Sequence, residues 1–372
     1  MHITNSWLDD LSEPTPIPSI SSVPQDVPTV PTPVASLLPV VPFPPKPAIA
    51  PRQSPWGRIG IAFDPTPDAQ EAYRRSGLDW AVEKVGLRTA DLDPVPHQYA
   101  IRRTDSRAVL GVVGQDYTTL QNEDAFRFFT DLAGTAELSF ETAGVFQHGA
   151  LVWVLAHLPD LDIRLGDDET RTYLLIANGH VGNKQLLIAP TTIRVACQNS
   201  LRLAERQIRG NRHLGLAGGF AVRHTSGLTV AMDDIRAAYA ATMTTQQSTR
   251  QAYEVLASRP LTTDLEHLFM DRVFIQDAYI GPDESDRARS LRESREERLG
   301  LILASPTSQV RGTKDTAFSL FQAAVEYIDH DRPTRTHGDT GAVESRLMSA
   351  TFGSGAVLKE RAWDTILDLV RA

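Results

Sequence analysis

The sequence predicts an α+β protein: an antiparallel, hairpin-rich sheet with packed helices, followed by a mainly helical C-terminal part. Three observations carry this expectation. Between Tyr99 and Ala189, short apolar runs alternate with Gly- and Asn-rich turns, as antiparallel hairpins require. Beyond about Thr225, apolar residues recur at helical spacing instead. Ahead of both, 14 of the chain's 24 prolines fall between Pro14 and Pro55. Proline fixes φ and lacks an N–H, so this stretch forms neither helix nor central strand. The 372 residues thus divide into a proline-rich tail 1–55, an α+β core 56–225 and a helical region 226–372.

The elements follow in order. The tail reads as a disordered, partly polyproline-II segment. Pro28–Pro31, Pro39–Pro42 and Pro42–Pro45 have the PxxP spacing through which a protein partner could engage it, and Trp7 and Leu8 would suit a short docking peptide. Asp68–Ser76 reads as a helix stopped by Gly77, and Trp80–Val85 as a strand. Tyr99–Arg103 and Val109–Gly114 read as strands around the polar turn Thr104–Arg107. Asn122–Leu132 has helical spacing, with Asn122 as its cap. Ser139–Val145, Leu151–His157 and Thr172–Ala177 read as strands, with Gly166–Arg171 a polar loop. Gln185–Ala189 follows the turn Asn178–Lys184, and Thr191–Gln207 reads as strand passing into helix. The helical stripes after that are Ile235, Tyr239 and Met243, continued by Tyr253 and Leu256; Phe321, Val325 and Ile328; and Leu358, Ala362, Ile366 and Leu369. Asp283–Arg298 is dense in alternating charge and suits a solvated helix.

Composition excludes several classes. A net charge of −9 rules out a uniformly basic nucleic-acid coat, though not a local basic face. A single cysteine, Cys197, provides neither an internal disulfide nor a cysteine-rich zinc site, and points to a reducing cytoplasm. No apolar run reaches the ~18–20 residues of a membrane span, and the opening MHITNSWLDD lacks the order of a secretory signal.

The strongest charge feature is Ile193–His224. It holds Arg194, Arg202, Arg206, Arg209, Arg212 and Arg223 against Glu205 alone, a formal +5, with His213 and His224 nearby. On a helix, Arg202, Arg206 and Arg209 would share one face. Guanidinium groups bind phosphate bidentately and stack on bases, so these residues are candidate phosphate contacts. The opposing reading is a basic helix paired with the acidic remainder of the chain. Two polar loops, Gln115–Asn122 and Asn178–Lys184, offer Tyr117 as a base-stacking residue and His180 as an acid, base or ligand, although turn formation accounts for most of their residues. His330, between Asp329 and Asp331, lacks metal-ligand spacing, and Cys197 lies in RVACQNSL, a buried context for a would-be nucleophile. Gly353-Ser-Gly355 precedes the last helix and could hold an anion at its N-terminus. No Walker A or dinucleotide-binding motif is present. No metal or cofactor is therefore expected.

Several stretches resemble a phage/plasmid-like protein family known as domain of unknown function 932. They are LGVVGQDYTTLQNEDAF at Leu110–Phe126, NGHVGNKQLLIAPTTIRVACQNSLRLA at Asn178–Ala204, VRHT at Val222–Thr225, AAVEYIDHDR at Ala323–Arg332 and FGSGAVLKERA at Phe352–Ala362. The resemblance runs from about Trp56 to the end. It implies cargo of phages, prophages and conjugative plasmids, whose genes commonly serve DNA replication, recombination or protection from host defence. It assigns no reaction.

The function expected first is a non-enzymatic DNA-metabolism protein that binds single-stranded nucleic acid, in the manner of annealing proteins. Arg194, Arg202, Arg206, Arg209, Arg212 and Arg223 would contact phosphates, with Tyr117 and His180 at a base-contacting rim and His224 adding to the nucleic-acid-binding basic segment. Two readings stand beside it: a small-ligand protein or enzyme using loops 115–122 and 178–184, and a host-interaction or anti-defence adaptor using the tail. Assembly into a homo-oligomer stays open.

Overall fold

The computed structural model describes residues 56–57, 59–124, 126–127, 138–182, 186–197, 199–201, 220–222, 224, 232–275, 286–336 and 341–371. The expected tail lies outside them. Helix α1 (Ala69–Arg75) starts where Asp68 accepts the Glu71 N–H at 2.8 Å, and ends at Gly77, whose φ of +66° is left-handed. Strands β2 (Val82–Arg88), β3 (Pro94–Arg103) and β4 (Val109–Gly114) form a three-stranded antiparallel sheet, with 104–107 as the turn between the last two.

The larger sheet runs β1 (Gly60–Ala62), β5 (Ser139–Phe146), β6 (Leu151–His157), β8 (Asp168–Gly179), β9 (Leu186–Arg194) and β10 (Asn199–Leu201), all antiparallel. Beside this order, β7 (Ile163–Leu165) pairs with β8, and β11 (Phe220–Val222) pairs with β9. Side chains alternate across each strand, so β6 (LVWVLAH) sends Val152, Val154 and Ala156 to one face and Leu151, Trp153 and Leu155 to the other. Both sets are buried. The first face packs on Phe63, Trp80, Ile101 and Phe126 beneath α1 and the small sheet; the second meets Trp56, Leu347, Met348 and Phe352. A strand covered on both sides reads as a continuous apolar run, which explains why β6 shows no polar face in sequence.

Two expectations are corrected. The supposed loop Gly166–Arg171 narrows to a turn at Gly166–Asp167, and β8 begins at Asp168. Gly166 takes a φ of +62°, which tightens the turn, while the polar Asp168 and Thr170 are buried, Asp168 against Arg194. The strand entered at Thr191 does not pass straight into a helix either. It turns at Val195–Cys197 and returns as β10 antiparallel to β9; residues 202–207 lie outside the described ones.

The C-terminal part is helical, as expected: α2 (Met232–Ser258), α3 (Thr263–Met270), α4 (Asp286–Leu303), α5 (Ala317–Glu326), α6 (Ala342–Phe352) and α7 (Ser354–Arg371). Helix α5 continues as a π-helical turn, Tyr327–Asp331. Phe321, Val325, Ile328, Ala362 and Ile366 are buried on the anticipated stripes. Charge-dense α4 is mostly exposed and buries Leu299 and Ile302. Residues Ile49–Ala372 form one compact unit, and the helical core reaches the sheet through Ile163. Among the described residues no helix is long and apolar enough to cross a membrane.

Candidate functional site

The two polar loops converge. Tyr117 Oη donates to the Gly179 carbonyl at 2.8 Å, and Asn178 Nδ2 to the Leu120 carbonyl at 3.2 Å. His180 Nε2 donates to Asn122 Oδ1 at 2.9 Å. The His224 ring stacks on Tyr117 with centroids 5.0 Å apart, and its carbonyl accepts the Thr118 N–H at 3.0 Å. Trp80 lies 5.5 Å from the His180 ring. The geometry needed to hold two loops together is thus present, and it turns these groups inward. Tyr117, His180 and His224 are all buried, so Tyr117 and His180 do not form the exposed base-contacting rim expected of them, and His224 does not extend an exposed basic face. Asn122 does not cap its helix: its amide nitrogen donates to the carbonyls of Leu78 and Trp80, and its oxygen serves His180.

Burial sets the electrostatics here. Loss of water, with His224 adding a smaller repulsion, depresses His180 to about 3; desolvation likewise lowers His224 to about 4. Both rings are neutral at pH 7. Among the described residues His180 Nδ1 has no hydrogen-bond partner, which raises the cost of charging that ring.

Arg194 is placed differently from the expected phosphate contact. It is 1% exposed, and its Nε donates to Asp168 Oδ1 at 2.9 Å while Nη2 bonds Oδ2 of the same carboxylate. Thr313 Oγ1 adds a hydrogen bond to Asp168 at 2.6 Å, so this ion pair fastens the sheet to the segment before α5. A charge counted as surface in the sequence is committed to the core.

Arg202, Arg206, Arg209, Arg212 and Arg223 lie outside the described residues. The strands at the two ends of this stretch do not. Leu201 of β10 pairs with Thr192, and Phe220 of β11 pairs with Ile188, both on β9. Segment 202–219 therefore joins two points four residues apart on one strand, roughly 13 Å at about 3.3 Å per residue.

The C-terminal motifs also meet. Lys359 Nζ pairs with Asp329 Oδ1 at 2.8 Å, both buried, and Arg332 Nη1 donates to Ser354 Oγ at 3.2 Å. His330 Nε2 donates to the Cys197 carbonyl at 2.9 Å, and Cys197 is itself buried. Among the described residues, no three His, Cys, Asp or Glu side chains gather as metal ligands would.

These arrangements define an α+β sheet protein with a basic segment joined at both ends to one strand of the sheet. The chain belongs to the family described as domain of unknown function DUF932, whose model matches residues 109–350. The matched range takes in both polar loops, the basic segment and the helices through most of α6. No match was found among curated proteins or among solved structures.

Proposed function

We propose that this chain is a non-catalytic protein of phage or plasmid DNA metabolism that binds single-stranded nucleic acid through segment 202–223. One observation carries the reading. With Arg194 held by Asp168, the segment keeps Arg202, Arg206, Arg209, Arg212 and Arg223 against Glu205, a formal +4 in a chain whose net charge is −9. The strands at its ends, β10 and β11, pair with β9, whose other neighbour is β8. A cationic stretch tied to a rigid sheet at both ends can follow a phosphodiester backbone without reading sequence. If all five arginines contact phosphates, log affinity should fall with log salt at a slope of roughly −3.5. A gel shift with short single-stranded DNA at low salt tests the reading, and no binding at micromolar protein overturns it.

Use of loops 115–122 and 178–184 by a small ligand has less support. The loops do meet, but Tyr117, Asn122 and Asn178 bond to the protein itself.

A further inference from the structure

The motif YIDHD at Tyr327–Asp331 closes α5 as a single π-helical turn, a rare form that widens the helix locally. Three successive side chains on it face three different elements. Asp329 Oδ1 accepts from Lys359 Nζ of α7 at 2.8 Å, with both groups buried. Asp331 Oδ2 accepts from Arg298 Nε of α4 at 3.0 Å. Between them, His330 Nε2 donates at 2.9 Å to the carbonyl of Cys197, in the turn that leads from β9 to β10. Arg346 of α6 bonds the carbonyls of His330 and Arg332 at 2.6 and 3.1 Å. Arg332 itself reaches Ser354 at 3.2 Å, beside a cavity of about 460 Å³ at the head of α7 that Arg335, Ser349, Met348 and Phe352 also line. The π-helical turn is thus held by α4, α6 and α7, and His330 is the side chain of the three that crosses to the sheet.

What His330 holds is the base of the basic segment. Cys197 lies two residues before Asn199, where β10 begins, and five before Arg202. The same turn is fixed to the sheet by Val195, whose N–H bonds the Glu169 carbonyl at 2.9 Å, and by Arg194 Nη1, 3.7 Å from Cys197 Sγ. At the far end, β11 is followed by His224, whose carbonyl accepts the Thr118 N–H and whose ring stacks on Tyr117. The two ends are therefore anchored by different parts of the protein. The helical core holds the first through His330, and loop 115–122 holds the second.

We infer that His330 is a positioning residue for strand binding. Its hydrogen bond to the Cys197 carbonyl holds β10 in register, so segment 202–223 starts from a fixed point when it meets a nucleic-acid backbone. This role rests on strand binding by that segment. Without the bond, β10 frays, and the need to order it again opposes binding. A carbonyl can only accept, so Nε2 carries the hydrogen, and an amide side chain at position 330 can supply the same donor.

Fluorescence anisotropy of a 5′-hydroxyl single-stranded oligonucleotide on the full chain, at one low salt concentration, tests this. H330M fills the space without donating and should weaken binding about three- to tenfold, whereas H330Q should restore most of the loss. T262A removes the cap of α3, where Thr262 accepts the Leu265 N–H at 3.2 Å, and weakens the helical core elsewhere. It should leave affinity unaltered, which separates positioning from general destabilisation. Hydrogen exchange of the free chain adds a readout without nucleic acid: H330M should speed exchange at Asn199–Leu201 and leave Phe220–Val222 unchanged. Native affinity in H330M, a T262A loss as large as that of H330M, or unchanged exchange at Asn199–Leu201 overturns the positioning role and leaves strand binding standing. Absence of binding by the native chain overturns strand binding, and the positioning role falls with it.

Discussion

The buried junction of Tyr117, His180 and His224 and the cavity at the head of α7 are built from similar parts and have opposite characters. Each joins stretches far apart in the chain, and each gathers hydroxyls, aromatic rings and basic groups. At the junction the hydrogen bonds run mainly to other protein groups, water is excluded, and the histidines stay neutral. At the cavity Arg332 and Arg335 stand beside a helix N-terminus at an opening, and among the described residues neither pairs with a carboxylate. The difference teaches that polar side chains stay open to a partner only where their hydrogen-bonding capacity is not taken up by the fold.

Substitutions can break this contrast, beginning with the largest expected effect. Asp168→Ala should cost about 3–5 kcal/mol in denaturant unfolding, because it leaves the Arg194 charge buried and unpaired. A loss below about 1 kcal/mol would mean that Arg194 reaches water and acts as a surface charge.

The junction makes a pH-dependent claim. Both histidines have folded values below their ordinary 6.5, so the unfolded chain takes up protons first as pH falls. Their contribution is complete above about 6.5 and is lost as pH falls from there toward 4 and 3. The slope is ~1.4 kcal/mol per pH unit for each group. His224→Phe keeps a ring against Tyr117 and removes two buried ring nitrogens. It should flatten this acid limb, measured as urea midpoints at pH 7 and pH 4.5. An unchanged limb would show that His224 is hydrated.

The smallest effect belongs to the cavity. Arg332→Ala should change stability by no more than about 0.5 kcal/mol in thermal unfolding, since its bond to Ser354 is exposed. A loss of several kcal/mol would make Arg332 a structural residue, like Arg194.

Much of the fold was legible because turn chemistry is local. The polar turn 104–107, Gly77 and the stripes of α5 and α7 declared their elements from adjacent residues. What stayed hidden depends on partners distant in sequence. Asp168 read as loop because Arg194 is 26 residues away and Thr313 is 145 away. Asn122 read as a cap because its partners at Leu78, Trp80 and His180 lie 42 to 58 residues away in the sequence. Arg194 counted toward a basic face because a charge count carries no burial. The glycine-flanked Ser354 was legible as the start of the last helix, whereas its contact with Arg332 arises only where the turn after α5 meets α7.

Strand binding by segment 202–223 is most directly tested by the salt dependence of fluorescence anisotropy with a single-stranded oligonucleotide bearing a 5′-hydroxyl, comparing the native chain with R202Q/R206Q/R209Q. The account predicts a slope of roughly −3.5 that falls by about 2 in the variant, with weaker binding at every salt concentration. No binding at low salt, or equal slopes for the two proteins, would contradict it.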